Sequence, residues 1–224
     1  MGPAMNPEVT FNTFLISAVV AYAMGAIPVA YIAGRLYGVN IFKVGSRQAG
    51  ATNVFREVSR KAGFAVTIID GTKGLLAILL VRQLGLDGAE LLVPAIAAIA
   101  GHWNSPFTKF KGGDGALSMM GTGLGIAPLA LLGPVVLAAA ISIGLNSKLN
   151  HPSLWGGTAG FLLFIALSFM PSSNTEPTVV YGLTGLGIGV LLHSMYFHYR
   201  HREFFALEAL EDEPDPTLTQ DGLS

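Results

Sequence analysis

The sequence predicts an all-α polytopic membrane protein with seven transmembrane helices, the N-terminus outside and the C-terminus cytoplasmic. Composition points there first. Of 224 residues, 51% are hydrophobic and 12% charged, against about 25% charged in soluble domains, and the mean hydropathy is +0.56. Segment length is the second observation: the apolar runs are mostly near 20 residues, the length that crosses a hydrocarbon core of about 30 Å. The third is where the cations fall, which is almost wholly on alternate loops. The 28 glycines suit helices packed through small residues. There is no cysteine, which excludes disulfides, thiol nucleophiles and thiolate metal sites. A net charge of -1 gives no basis for nucleic-acid binding.

The segments follow in order. Met1 to Asn12 contains Glu8 and neither Lys nor Arg, so the basic region of a signal peptide is missing and the first run, 13–34, is expected to be retained. Pro28 lies near its end, where a bundle tolerates a kink. Residues 35–62 are polar and basic. A second span is expected at 63–84, with Asp70 and Lys73 inside it. A third, short one runs over 90–103 and ends in His102-Trp103. A Gly/Lys-rich loop, 104–115, leads into a weak glycine-rich run at 114–126. Clearer spans follow at 127–146, 152–170 and 178–198. A single membrane domain is expected over 1–205. The tail, 206–224, turns acidic and Pro-bearing and is expected to be disordered.

The weak fourth run decides the topology. If it spans, Arg35, Lys43, Arg47, Arg56, Arg60, Lys61, Lys109, Lys111, Lys148, Arg200 and Arg202 share one side, and only Arg82 lies on the other. If it does not, Lys148 and the Arg200/Arg202 pair change sides. The positive-inside rule favours seven spans. Both glycine-rich loops then face the cytoplasm.

Four constellations carry chemistry. Residues 45–56 read Gly-Ser-Arg-Gln-Ala-Gly-Ala-Thr-Asn-Val-Phe-Arg. Exposed backbone N–H groups, Ser46, Thr52 and Asn53 as donors and Arg56 as a clamp make a phosphate cradle, against the plainer reading of a basic cytoplasmic loop. The string is not a Walker A motif. Asp70 and Lys73, at i and i+3, can pair on one helix face. Charges within a span suggest a site, and a pair that only fixes helix packing is the alternative. In the second loop, Lys111, Gly112, Gly113 and Gly115 can present N–H groups to an anion, whereas Asp114 would repel one and could accept from a hydroxyl instead. His102 is either a general base or a cap at the end of a span. His198 and His201 have a spacing that can serve a metal, but no third ligand is evident and no metal is expected. His201, between Arg200 and Arg202, is the better acid–base candidate, with interfacial anchoring alongside Tyr196 and Tyr199 as the alternative; His193 precedes them on the same segment.

Gly25-Ala26-Ile27-Pro28, Lys43-Val44-Gly45-Ser46 with Gly50-Ala51-Thr52-Asn53-Val54-Phe55-Arg56, Asp70-Gly71-Thr72-Lys73-Gly74, and Gly101-His102 with Phe110-Lys111-Gly112-Gly113 together resemble the bacterial membrane glycerol-3-phosphate acyltransferases that use acyl phosphate (the PlsY family). The resemblance implies acyl transfer from acyl phosphate to the 1-hydroxyl of glycerol 3-phosphate, giving lysophosphatidate in phospholipid synthesis at the cell membrane, without a cofactor. It implies Ser46 and His201 as catalytic residues. Arg47, Gly50, Thr52, Asn53, Arg56, Lys73, His102, Lys111, Gly112, Gly113 and Gly115 would contact substrate. This chain departs from the family pattern in three places. Arg47-Gln48 stand where Gly-Asn is usual, Asp114 where lysine is usual, and Phe204 where asparagine is usual. Two other readings follow from these changes: a non-catalytic relative that binds phospholipid or acyl phosphate, or an acyltransferase with a changed acceptor. A transporter using Asp70 and Lys73 is a third, disfavoured because no inverted repeat is visible.

Overall fold

The computed structural model describes residues 9–145, 148–149, 152–168, 170 and 175–211, with side chains as far as Tyr199 apart from Ser153 and His198. Every regular element among them is helical. The first apolar run is two helices, α1 (Phe11–Gly25) and α2 (Val29–Leu36). The break falls at Ala26–Pro28, because Pro28 has no N–H to continue the ladder and disfavours helical geometry in Ile27. The polar stretch holds a short 3-10 turn at Ile41–Lys43 and α3 (Ala51–Glu57). Ser59 then caps α4 (Arg60–Arg82), its hydroxyl 3.5 Å from Ala62 N. The remaining helices are α5 (Leu92–Trp103), α6 (Ala116–Ile126), α7 (Pro128–Gly144), α8 (Pro152–Ser168) and α9 (Pro177–Glu211). The backbone of α9 thus continues past the expected end of the last span, and residues 212–224 of the expected tail lie outside the described residues.

Glycine contacts set how the helices pair. α4 and α6 run parallel, with Gly71 against Gly121, Gly74 against Ser118 and Ile78 against Gly125. α7 and α8 run antiparallel through Gly156 against Ser142 and Gly160 against Pro134. At these positions a Cβ would collide with the neighbouring helix, so glycine permits the close approach. α5 and α9 are parallel, through Leu92 on Gly182 at one end and Trp103 on His193 at the other. α1, α5, α7 and α9 therefore run towards the end that carries both loops, and α4, α6 and α8 run away from it.

Three buried clusters hold the bundle. Ile78, Val81, Leu86, Leu91, Ile126, Phe164 and Leu183 fill the end far from the loops. Ala21, Ala77 and Ala98 meet at the waist. Ala30, Ile41, Ala49, Val54, Ala62 and Val66 lie beneath the first loop. The outer faces are apolar and exposed, including Val19, Ile68, Leu80, Ile96, Leu129, Val136 and Leu162. That inversion is what a lipid solvent allows. Three helical stretches are long and apolar enough to cross a membrane by themselves: Phe11–Leu36, Arg60–Arg82 and Pro177–Phe197. α6 is an 11-residue helix, about 16 Å long at 1.5 Å per residue.

Candidate active site

The first loop is built around one side chain. Asn53, on α3, is 4% exposed. Its Nδ2 lies 3.1, 3.2 and 3.0 Å from the carbonyl oxygens of Ile41, Val44 and Gln48, and its Oδ1 accepts from Ser46 N at 3.1 Å. This gathers the chain from 41 to 48 into a ring around α3. Arg47, in the ring, has φ +54°, a left-handed geometry that glycine adopts without the Cβ clash. Arg56, on the outer turn of α3, donates to Leu149 O in the α7–α8 connection.

The second loop is held by backbone fit. Ala49 N donates to Gly112 O at 3.2 Å, and Gly113 N to His102 O at 3.4 Å, so the two loops touch at Ala49–Gly112. A Cβ on Gly113 would meet His102 Nε2 at 2.5 Å and Ala49 O at 2.6 Å. Gly115 has φ +86° and packs on Trp103; a side chain there would be strained. Trp103 Nε1 donates to Asp114 O at 2.9 Å, and its ring stacks on His193 with centroids 4.3 Å apart. The Asp114 side chain turns to the start of α6, where Oδ1 accepts from Ala116 N at 3.1 Å.

Behind the loops lies a buried charged group. Lys73 Nζ is 2.7 Å from Asp70 Oδ1 and donates to Ile27 O at 2.9 Å; His102 Nδ1 is 3.9 Å from Asp70 Oδ1. Asp70, Lys73 and His102 are all buried. Lys73 thus holds the chain at the α1–α2 break, where Ile27 O also accepts from Val29 N at 3.0 Å.

A cavity of about 550 Å³ lies between the first loop, Asp114 of the second and the helices beside them. Ser46, Gln48, Gly50, Thr52, Asn53 and Arg56 line its polar end, together with Glu57 and Asp114. Its apolar walls come from Phe64 and Leu75 of α4, Met120 and Leu124 of α6, and Val135 and Ala139 of α7. Ser46, Gly50, Thr52 and Arg56 of the sequence-predicted set therefore share one chamber. Asn53 lines it too, but its amide is committed to the loop, so its structural part is larger than that of the free donor expected. Lys73, His102, Lys111 and Gly112 line a separate crevice behind the loop contact, and Gly113 and Gly115 are packing positions. Lys111 Nζ lies 6.0 Å above the Phe42 ring. The His201 side chain lies outside the described residues. Sequence reasoning missed the α7 wall and Gln48, which is 4% exposed with Nε2 lacking a partner among the described residues. It gave His193 no role of its own, whereas the structure stacks it on Trp103. Adjacent His102-Trp103 at a span end was the available signal. Among the described residues no group of His, Asp and Glu could hold a metal.

A helical bundle with an apolar exterior and a polar, glycine-lined chamber opening into an apolar groove suits an integral-membrane protein that handles a molecule with a polar head and an apolar chain. Comparison with known proteins gives the class, an acyltransferase. The family model for glycerol-3-phosphate acyltransferase matches residues 15–206. The glycerol-3-phosphate acyltransferase of Geobacter sulfurreducens is 38% identical over 154 residues, 68% of this chain and 77% of that protein. That of Thermus thermophilus is 37% identical over 147 residues, 66% of this chain and 73% of that one. The crystal structure of PlsY, an integral membrane glycerol 3-phosphate acyltransferase, in its glycerol 3-phosphate form, superposes with a TM-score of 0.64 at 27% identity, covering 92% of this chain and 97% of that chain. Its lysophosphatidic acid form gives 0.62 at 25%, covering 87% and 92%. The chain belongs to the glycerol-3-phosphate acyltransferase family.

Proposed function

We propose that this protein transfers an acyl group from acyl phosphate to the 1-hydroxyl of glycerol 3-phosphate, releasing phosphate and lysophosphatidate. One observation carries the reading: the chamber that holds Ser46 and Arg56 continues into the wall of Leu75, Met120, Leu124 and Val135. A phosphate end and an acyl chain thus have adjoining compartments. The solved relative with glycerol 3-phosphate in one form and lysophosphatidic acid in another supports the acceptor and product. Acyl phosphate is an activated donor, so no covalent intermediate on the enzyme is required. The tasks left are alignment, stabilisation of the carbonyl oxyanion and removal of the hydroxyl proton. Ser46 and Arg56 are assigned to the donor phosphate and the developing charge, and Thr52 and the open face of Gly50 to substrate contact. Lys111 adds a cation at the crevice, and Arg47 one in the first loop. The group around Asp70, Lys73 and His102 keeps the loops in register. His201 is retained as the acid–base candidate of the last helix.

Seven crossings complete the reading. It is supported by the alternating helix directions, with α1 starting at the far end and both loops lying with the end of α9 at the other. The cation distribution supports a cytoplasmic loop end, with the cell membrane as the protein's site. The direct test is purified protein with acyl phosphate and labelled glycerol 3-phosphate. Labelled lysophosphatidate is expected, with a loss of about 100-fold in Arg56→Ala and Ser46→Ala. Product formation undiminished in both variants would sink the assignment of the chamber.

A further inference from the structure

We propose that this site also acylates an alcohol that bears no phosphate, a neutral polyol or an amino alcohol, and that Asp114 is the residue that admits it. The inference rests on the donor half of the acyl-transfer reading above. Its observations are local to Asp114. The carboxylate Oδ1 accepts from Ala116 N at 3.1 Å, so the chain itself fills the anion position at the start of α6. The loop cannot easily swing the group away. Trp103 Nε1 holds the Asp114 carbonyl at 2.9 Å, and the Ala49–Gly112 bond and the tight seat of Gly113 fix the residues before it. No described residue donates to Oδ2, so that oxygen can accept from a ligand hydroxyl or ammonium.

The chamber's charge points the same way. Among the described residues, the charged side chains that line it are Arg56, Glu57 and Asp114. One guanidinium suits one phosphate, that of the donor. A second phosphate beside Asp114 would meet a like charge, whereas a hydroxyl or ammonium would meet a partner. In the step itself the alcohol oxygen attacks the acyl carbonyl carbon. The new ester C–O bond forms, the bond from the acyl carbon to the phosphate oxygen breaks, and phosphate leaves with that electron pair. The hydroxyl proton ends on the departing phosphate. Asp114 orients the acceptor and is not consumed.

The test offers purified protein acyl phosphate with each of three acceptors: glycerol 3-phosphate, glycerol, and 2-amino-1,3-propanediol. Ester products are followed by mass spectrometry. In the unaltered protein, kcat/KM for at least one phosphate-free acceptor is expected within about tenfold of that for glycerol 3-phosphate. Asp114→Lys should shift the ratio towards glycerol 3-phosphate by about 100-fold, raising its apparent affinity and losing the amino alcohol. Because the readout is a ratio within one preparation, the fraction of folded protein cancels. Asp114→Asn should lose the amino alcohol more than glycerol. Turnover of glycerol 3-phosphate alone, or a ratio that Asp114→Lys leaves unchanged, overturns the inference while the acyl-transfer reading stands. No ester from the unaltered protein with any acceptor overturns both.

Discussion

The two loops that meet at Ala49 and Gly112 are stabilised in opposite ways. The first, from Ile41 to Glu57, is tied from within by the amide of Asn53, which serves three carbonyls and one N–H. The second, from Asn104 to Gly115, has a smaller one: the buried Thr108 hydroxyl lies on the carbonyls of Ser105 and Lys111, and Ser105 Oγ donates to Ala26 O at 2.6 Å. Its second half, where it meets the first loop, is shaped instead by the room that Gly113 and Gly115 leave for His102, Ala49 and Trp103. The first loop is therefore broken chiefly by removing atoms, and the glycine end of the second by adding one. A polar ring of this kind is costly to leave half-satisfied, whereas a glycine seat fails by overlap.

The largest effect should come from Asn53→Ala. It strands the carbonyls of Ile41 and Gln48 and frees Ser46, so a loss of about 3 kcal/mol or more in stability is expected, read by thermal melting in detergent. Acyl transfer should fall by about 100-fold, because Ser46 and Arg56 lose their common frame. Gly113→Ala comes next, at about 2 kcal/mol and roughly tenfold in activity, with His102 displaced. If Gly113→Ala proved more damaging than Asn53→Ala, the contrast between the loops would be reversed. Trp103→Phe keeps a ring against His193 and deletes only the bond to the Asp114 carbonyl. About 1 kcal/mol is expected, with a shift in acceptor preference larger than in donor KM. The smallest stability change should be that of Gly50→Ala, whose added Cβ meets nothing within 4 Å, costing about 0.5 kcal/mol as a poorer helix cap. A raised KM without a matching drop in melting temperature would mark that open space as the substrate's. An unchanged KM would remove Gly50 from the binding set.

Much of this was legible in the chain. Asp70 and Lys73, three residues apart on one helix, were expected to pair, and they do at 2.7 Å. The glycine-rich strings marked both loops, and Ser46, Gly50, Thr52 and Arg56 do share a chamber. The break at Pro28 was read as a kink, whereas two separate helices form, because Pro28 has no N–H for the ladder and turns Ile27 out of helical geometry, and Lys73 then ties Ile27 O in place. The inward duty of Asn53 could not be read, since an exposed donor and a buried organiser look alike in a string of letters. Nor could the part of α7, whose apolar residues carry no motif.

The sequence by itself determined which segments prefer lipid and where the cations gather. Hydropathy and charge are properties of each short stretch and need no partner. Only the tertiary structure decided which polar groups face the chamber and which are spent on the frame. That choice rests on contacts such as Lys73 with Ile27, Trp103 with His193 and Arg56 with Leu149, each joining residues far apart in the chain. Their energies exist only once the helices have packed.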